Sequence, residues 1–215
     1  MNRTYLALFC GMSQIIIGSI NAPWKSLQEL ADAGRKDPSC IVWGAAAGGR
    51  GGSDIVQLQF FEAAGIDVSK TKRVDFTGSV TAIGSLAGGH INLHATTPAT
   101  VRPVVSGGKA TCLGVAGPQR SAFLPDCSTT REAGFPMVEV LQWGGLSGPP
   151  GLPAHVKKII IQAAEELSKD PAVVEKLGKR LDAKPTFLGP EAFERFIREE
   201  ANKIARLRKL MFGGN

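Results

Sequence analysis

A single tyrosine in 215 residues, with no stretch where aromatic and basic residues interleave along a strand, leaves the chain without the stacking platform that single-stranded nucleic acid needs. The net charge is +6, but the Lys and Arg are spread out and mostly alternate with Glu and Asp. The surplus therefore reads as a solvated basic surface, and no nucleic-acid partner is expected. Four cysteines, Cys10, Cys40, Cys112 and Cys127, never fall into CxxC spacing. Neither a zinc site nor a redox pair is signalled; buried free thiols are the expectation, and a disulfide stays open. No apolar run reaches the roughly 18 residues that a membrane-spanning helix requires.

Catalytic signatures are missing too. Gly44 and Gly49 are followed by Arg50 and Gly51, which fails the Walker pattern, and GxGxxG fails in every register from 44 to 53. His90, Asn92 and His94 alternate with Ile91 and Leu93, so they share one strand face, yet no HExxH glutamate accompanies them. They are expected to be solvent-side strand positions rather than ligands. In GLSGP at 145–149, Pro149 takes the place of the last glycine of a nucleophile elbow. With no paired carboxylates at useful positions, the chain reads as a binder and not an enzyme, with no metal and no cofactor.

At 215 residues and 43% hydrophobic, the chain is long enough to bury a sizeable core as one large domain or two small ones. The N-terminus, with a basic start, an apolar middle and small residues near Ala22, has the outline of a signal peptide. Gly11, Ser13 and Gln14 interrupt its core, and IIIGSI reads better as a buried strand. Ser26 followed by Glu29 is a capping-box pattern for a helix to about Gly34, and CIVW is a short buried strand. After the glycine loop, Ser53 or Asp54 is expected to cap a helix with Ile55, Leu58, Phe61 and Ala64 on its apolar face, ended by Gly65. Strand, loop and helix then recur through TKRVDF and VTAIGSLA, INLHA and the helix after TTPAT, and TCLGV; Thr129 and Glu132 suggest a short helix before VEVLQW. This alternation implies an α/β fold with a largely parallel sheet flanked by helices. From about Gly144 the chain becomes a Gly/Pro connector followed by helices starting near Pro153, Pro171 and Pro190.

GAAAGGRGGSD, residues 44–54, lies where a strand meets a helix. Consecutive small residues expose backbone N–H groups, and the helix start adds its positive end, which together make an anion cradle; a flexible surface turn is the competing reading. Arg50 adds a fork suited to a carboxylate. Thr77–Ser79 and Thr96–Thr100 repeat the arrangement at the next two strand ends. In open α/β sheets, ligands bind outside the carboxyl ends of the strands.

The order WKSLQEL, glycine-rich loop, AAGID, VDFTG, LAGGHINL, GGKATCLGVAG, LPDCSTTREAGFP and QWGGLSGPPGLP resembles the solute-binding proteins of tripartite tricarboxylate transporters, the Bug receptors, from about Ile15 to the C-terminus. The resemblance implies a type II periplasmic-binding-protein-like fold. Residues 1–20 would be a hinge and first-lobe remnant, 21–143 the second lobe, and 144–215 a connector and helices returning to the first lobe. A fragment, truncated product or diverged form is expected, because the signal peptide and PGGGTD-type loop common in that family have no counterpart in this sequence. Gly51 and Gly52 replace common hydroxyl residues, Asn92 and Thr96 replace Asp, and Ser128 replaces Pro.

The implied ligand is a small organic carboxylate, the implied partners are membrane permease subunits, and the implied location is the periplasm. Self-association through exposed first-lobe surface is a further expectation. The implied ligand-binding residues are Ala45, Ala46, Ala47, Gly48, Arg50, Gly51, Gly52, Ser53, Thr77, Gly78, Ser79, Thr96, Thr97, Thr100 and Trp143, with Gln142 beside Trp143 near the hinge. Two rival readings are a small α/β enzyme using Arg50 and His94 on an anionic substrate, and a lobe serving as an interaction scaffold.

Overall fold

The computed structural model describes residues 3–46 and 51–212. Among them run β1 (Thr4–Ser19), α1 (Leu27–Lys36), β2 (Val42–Ala46), α2 (Gly52–Ala64), β3 (Lys72–Phe76), α3 (Ser79–Ala87), β4 (Leu93–Thr96), α4 (Pro98–Ser106), β5 (Ala110–Ala116), β6 (Leu141–Gly148), α5 (Ala154–Lys169), α6 (Pro171–Leu181), β7 (Lys184–Leu188) and α7 (Pro190–Phe212). The chain divides into two units. One is Ser13–Leu141 with Ile204–Asn215, the other Met1–Met12 with Gln142–Lys203, and β1 and α7 run through both. Among the described residues no helix is long and apolar enough to cross a membrane.

In the larger unit the strand order is β3-β2-β4-β1-β5. β2 is parallel to β3, from Val42 opposite Lys72 to Ala46 opposite Phe76, and parallel to β4 at Trp43 opposite Leu93. The α/β class expected from the alternation of strands and helices holds, and the pairing is mixed: β1 lies antiparallel to both β4 and β5. The alternation beyond residue 40 does not reveal this, because both partners of β1 come about 80 residues or more after it in the chain.

The isoleucine run shows why β1 is central. Ile16 packs into the cluster that holds Trp24, Leu27, Leu30, Phe60 and Phe61, whereas Ile15 and Ile17 join Ile83, Leu86 and Val101 on the opposite face. Strand residues alternate between faces, so three consecutive apolar residues suit a strand covered on both sides. α1 and α2 cover one face through the first cluster, and α3 and α4 the other. Fully burying each large side chain contributes about 1.5–3 kcal/mol.

α1 opens as its sequence suggests. Ser26 Oγ accepts from Glu29 N–H at 3.2 Å, and Glu29 Oε2 accepts from Lys25 N–H at 2.6 Å. The helix continues past Gly34 to Lys36, with Arg35 and Lys36 in its last turn, where cations complement the helix dipole. α2 ends at Gly65, whose φ of 70° is a left-handed conformation that favours glycine.

Three sequence expectations need correction. Thr129 and Glu132 do exchange the two bonds of a capping box, at 3.1 and 2.7 Å, but the segment remains a set of turns. Cys112 and Cys127 form a disulfide, while Cys10 and Cys40 are free. The pairing follows from the chain doubling back along β5, where Ser128 O and Thr130 N–H both bond Val115, at 2.9 Å each.

The third correction lies in the smaller unit. Gly144–Gly148, read as connector, belongs to β6, and KPTFL forms β7, which pairs antiparallel with β1 at Leu8 opposite Leu188. The two glycines are needed for close packing: a Cβ on Gly145 would sit 2.6 Å from Phe193 Cζ, and one on Gly144 2.9 Å from Cys10 Sγ. Phe193 anchors this unit, with Tyr5 and Trp143 meeting it edge-on at 5.5 and 5.4 Å.

Candidate functional site

Three parallel strands of the larger unit end level with one another. Ala46, the last residue of β2, lies opposite Phe76, the last of β3, and the register Trp43 opposite Leu93 carries β4 to its end at Thr96. Helices α2, α3 and α4 therefore all begin at the carboxyl edge of β3-β2-β4, α2 on one face of the sheet and α3 and α4 on the other. Their N-cap residues are Gly51, Gly78 and Thr97, and none supplies a side-chain cap. The first N–H groups of a helix have no partner within it. The starts of α2 and α3 therefore present free donors and partial positive charge to whatever lies at the edge, while α4, which opens with Pro98 and so lacks the first N–H, adds mainly its partial positive charge.

Ala45 and Ala46 are buried at the end of β2; Ala47, Gly48 and Arg50 lie outside the described residues. Gly51 is the N-cap of α2, Gly52 its first residue, and Ser53 is buried. The expectation that Ser53 or Asp54 caps α2 is therefore corrected: the N-cap lies two or three residues earlier, at Gly51. Thr77 is exposed, Gly78 is the N-cap of α3 and Ser79 its first residue. Thr96 is buried at the end of β4, and Thr97 Oγ1 and Thr100 Oγ1 bond each other at 2.9 Å. Trp143 belongs to the other unit, on β6, where its ring meets Phe193 and Phe196 edge-on.

Behind these helix starts lies a buried polar group that the sequence did not announce. Asp54 is fully buried, and its carboxylate accepts from Ala46 N–H at 2.7 Å and Gly51 N–H at 3.1 Å. Burial pushes its pKa up to about 6, against the lowering effect of the two amide donors. Gln57, also fully buried, donates to Gly44 O at 3.1 Å and Ser53 O at 3.0 Å.

His94 corrects another expectation. It is fully buried rather than solvent-side, because helices α2 and α3 pack against β4 and cover both faces of the sheet there. Its Nδ1 is 3.0 Å from Gly44 O, and burial lowers its pKa, so the ring is neutral. A carbonyl only accepts, which assigns the proton to Nδ1 and leaves Nε2 as an acceptor. Gly44 permits this crowding, since a Cβ there would meet Ile91 at 2.7 Å and His94 Nδ1 at 3.2 Å. Asn92 accepts from Val42 N–H and donates to Cys40 O, both at 2.8 Å, and so stitches β2 to the start of β4. Among the described residues no group of three His, Cys, Asp or Glu converges to hold a metal.

Known proteins resemble this chain over most of its length. The model of the tripartite tricarboxylate transporter family receptor matches residues 2–211. A Cupriavidus necator protein, named as the UPF0065 protein in the gbd 5' region, is 25% identical over 199 residues, 93% of this chain and 59% of its own length. An Agrobacterium vitis UPF0065 protein is 22% identical, over 94% of this chain and 58% of its own. The chain thus spans about 59% of the length of these curated relatives. Among solved structures, the R. palustris protein Rpa4515 with adipate superposes with a TM-score of 0.82 at 21% identity, covering 98% of this chain and 68% of that one. The periplasmic binding protein BugD gives 0.80 at 23%, covering 97% and 69%. MatC from Rhodopseudomonas palustris with bound malate gives 0.77 at 22%, covering 97% and 69%. These structures share the fold. With nearly its whole length matched by the family model, this chain belongs to the tripartite tricarboxylate transporter receptor family.

Proposed function

We propose that the chain contributes to an extracytoplasmic receptor for a small organic carboxylate, which it hands to the permease subunits of a tripartite transporter. The observation that carries this reading is the row of three helix starts without side-chain caps at the level carboxyl edge of β3-β2-β4. Neutral donors suffice for a carboxylate. A hydrogen bond to a charged group contributes about 1.5–3 kcal/mol, so a few of them support binding in the micromolar range, near –8 kcal/mol. The ligands named for two structural relatives, adipate and malate, are dicarboxylates, which gives the class to test first. The site residues on this edge are Ala45, Ala46, Gly51, Gly52, Ser53, Thr77, Gly78, Ser79, Thr96, Thr97 and Thr100. The Cys112–Cys127 disulfide supports an oxidising compartment such as the periplasm. Ile159 and Leu167 on α5 and Leu181 on α6 are exposed and offer a surface for self-association.

Thermal unfolding tests the reading. Adipate, malate or citrate at a hundredfold excess over its dissociation constant stabilises the folded state by about 2.7 kcal/mol, whereas nucleotides and sugars leave it unchanged. Stabilisation by a nucleotide, with none from any carboxylate, overturns the proposal.

A further inference from the structure

The carboxylate of Asp54 joins two backbone donors that the chain separates: Ala46 N–H, where β2 ends, and Gly51 N–H, where α2 is about to begin. Gly51 O in turn accepts from Asp54 N–H at 3.0 Å and Ile55 N–H at 3.1 Å. One side chain therefore fixes the end of a strand, the cap of a helix and the first turn of that helix against one another. It spends its two oxygens on Ala46 and Gly51, and the next two amides, Gly52 and Ser53, are engaged by no described residue. Resting on the receptor reading above, we infer that Asp54 is a positioning residue: its ionised carboxylate sets the direction of the α2 start, so that the Gly52 and Ser53 N–H groups point outward as a pair for an anionic ligand.

Such a role carries a proton dependence. An ionised carboxylate accepts on both oxygens, whereas a protonated one turns one oxygen into a donor and releases or strains one of the two amides. The charged neighbours that face Asp54 are Arg73 and Asp75 on β3, whose influences on it oppose each other. His94, on β4, is held neutral by burial. α3 carries no ionisable side chain. The charges of α1 and α7 that reach α2 engage its far end: Arg35 bonds Ala64 O, and Arg206 pairs with Glu62. Asp54 is thus the group whose proton the helix start senses.

Two mechanisms give opposite signs. If Asp54 positions the amides, protonation loosens them and dicarboxylate affinity falls as pH drops through about 6. If Asp54 merely repels an anion, protonation removes the repulsion and affinity rises. Calorimetric titration of adipate into the wild type and Asp54→Asn between pH 5 and pH 8 decides, because the difference between the two proteins cancels the titration of adipate itself. We expect Asp54→Asn, which keeps one acceptor and turns a donor toward the other amide, to bind about tenfold to a hundredfold more weakly at pH 8, with the gap closing toward pH 5. Equal binding by the two proteins, or a wild-type affinity that rises on acidification relative to the variant, overturns the inference.

A ligand-free measurement on the wild type stands beside this one and does not depend on the variant folding. The amide proton resonances of Ala46 and Gly51 should shift together with a shared midpoint near pH 6. Independent or absent shifts overturn the clamp. A wild type that binds no carboxylate overturns the receptor reading and the ligand half of this inference, while the amide titration still judges the clamp.

Discussion

The helices of this protein begin in two ways. α1 and α6 are capped by their own sequence: Ser26 Oγ accepts from Glu29 N–H, and Asp170 Oδ1 accepts from Ala172 and Val173 N–H at 2.7 and 3.3 Å. α2, α3 and α4 begin at Gly51, Gly78 and Thr97, whose own side chains cap nothing; at α2 the Asp54 carboxylate takes the Gly51 N–H but leaves the Gly52 and Ser53 amides bare. α5 also starts without one, at Pro153, but places Lys157 and Lys158 close behind, where cations oppose the dipole. A side-chain cap is worth about 1 kcal/mol, so leaving three neighbouring helix ends bare forgoes stability at one edge of one sheet. The difference is what the proposed receptor role requires: donors at that edge left for a ligand.

Removing one reserved donor is the strongest way to break the contrast. Gly52→Pro deletes an N–H at the first position of α2, where proline is well tolerated, and Gly51 already has the extended φ and ψ of –81° and 160° that a following proline demands. The helix should survive while dicarboxylate affinity falls about tenfold to a hundredfold. Gly52→Ala serves as the control, with titration calorimetry as the readout. Arg50→Ala should do less, lowering mainly the association rate in a way that fades with salt. If Arg50→Ala abolishes binding and Gly52→Pro leaves it intact, the bare backbone is not what holds the ligand.

Converting a bare end into a capped one is the next step. Gly78 is extended, with φ of –175°, and a Cβ there meets nothing within 4 Å, so Gly78→Asp has room. The new cap should add a few tenths of a kcal/mol of stability. The same carboxylate should weaken adipate binding about fivefold, the effect of about 1 kcal/mol of like-charge repulsion near the surface. Stabilisation with unchanged affinity would mean that α3 takes no part. The smallest effect on binding belongs to the capped class. Ser26→Ala should cost about 1 kcal/mol of stability, a fall in Tm of about 2–4 °C, and leave affinity as it was.

The capped half of this contrast was legible in the sequence, because the Ser26–Glu29 box, the Gly65 stop and the spacing of Ile55, Leu58 and Phe61 are local properties; the bare start of α2 was not, since Ser53 or Asp54 reads as its cap. What escaped depends on contacts made at a distance. Asp54 reads as an ordinary acidic residue near a helix start, and only the return of Ala46 N–H to its carboxylate shows it buried. His94 alternates like a solvent-facing strand residue, but helices pack on both faces of the sheet at β4. β7 was hidden by Pro185, which falls at a register shift in a pairing where it interrupts little. Cys112 and Cys127 needed the doubling back at Val115 to meet, and connectivity is not written in spacing.

The long strand β1 has a consequence for how the chain is made. Ile15 and Ile16 wait for Thr96 and Ala95, and Leu8 waits for Leu188, so every described partner of this strand is translated well after it. At about 5–20 residues per second, the buried isoleucine run stays unmatched for roughly 4–16 s and Leu8 for roughly 9–36 s. Such a segment is a target for any holdase that meets the nascent chain, and a hazard wherever none does.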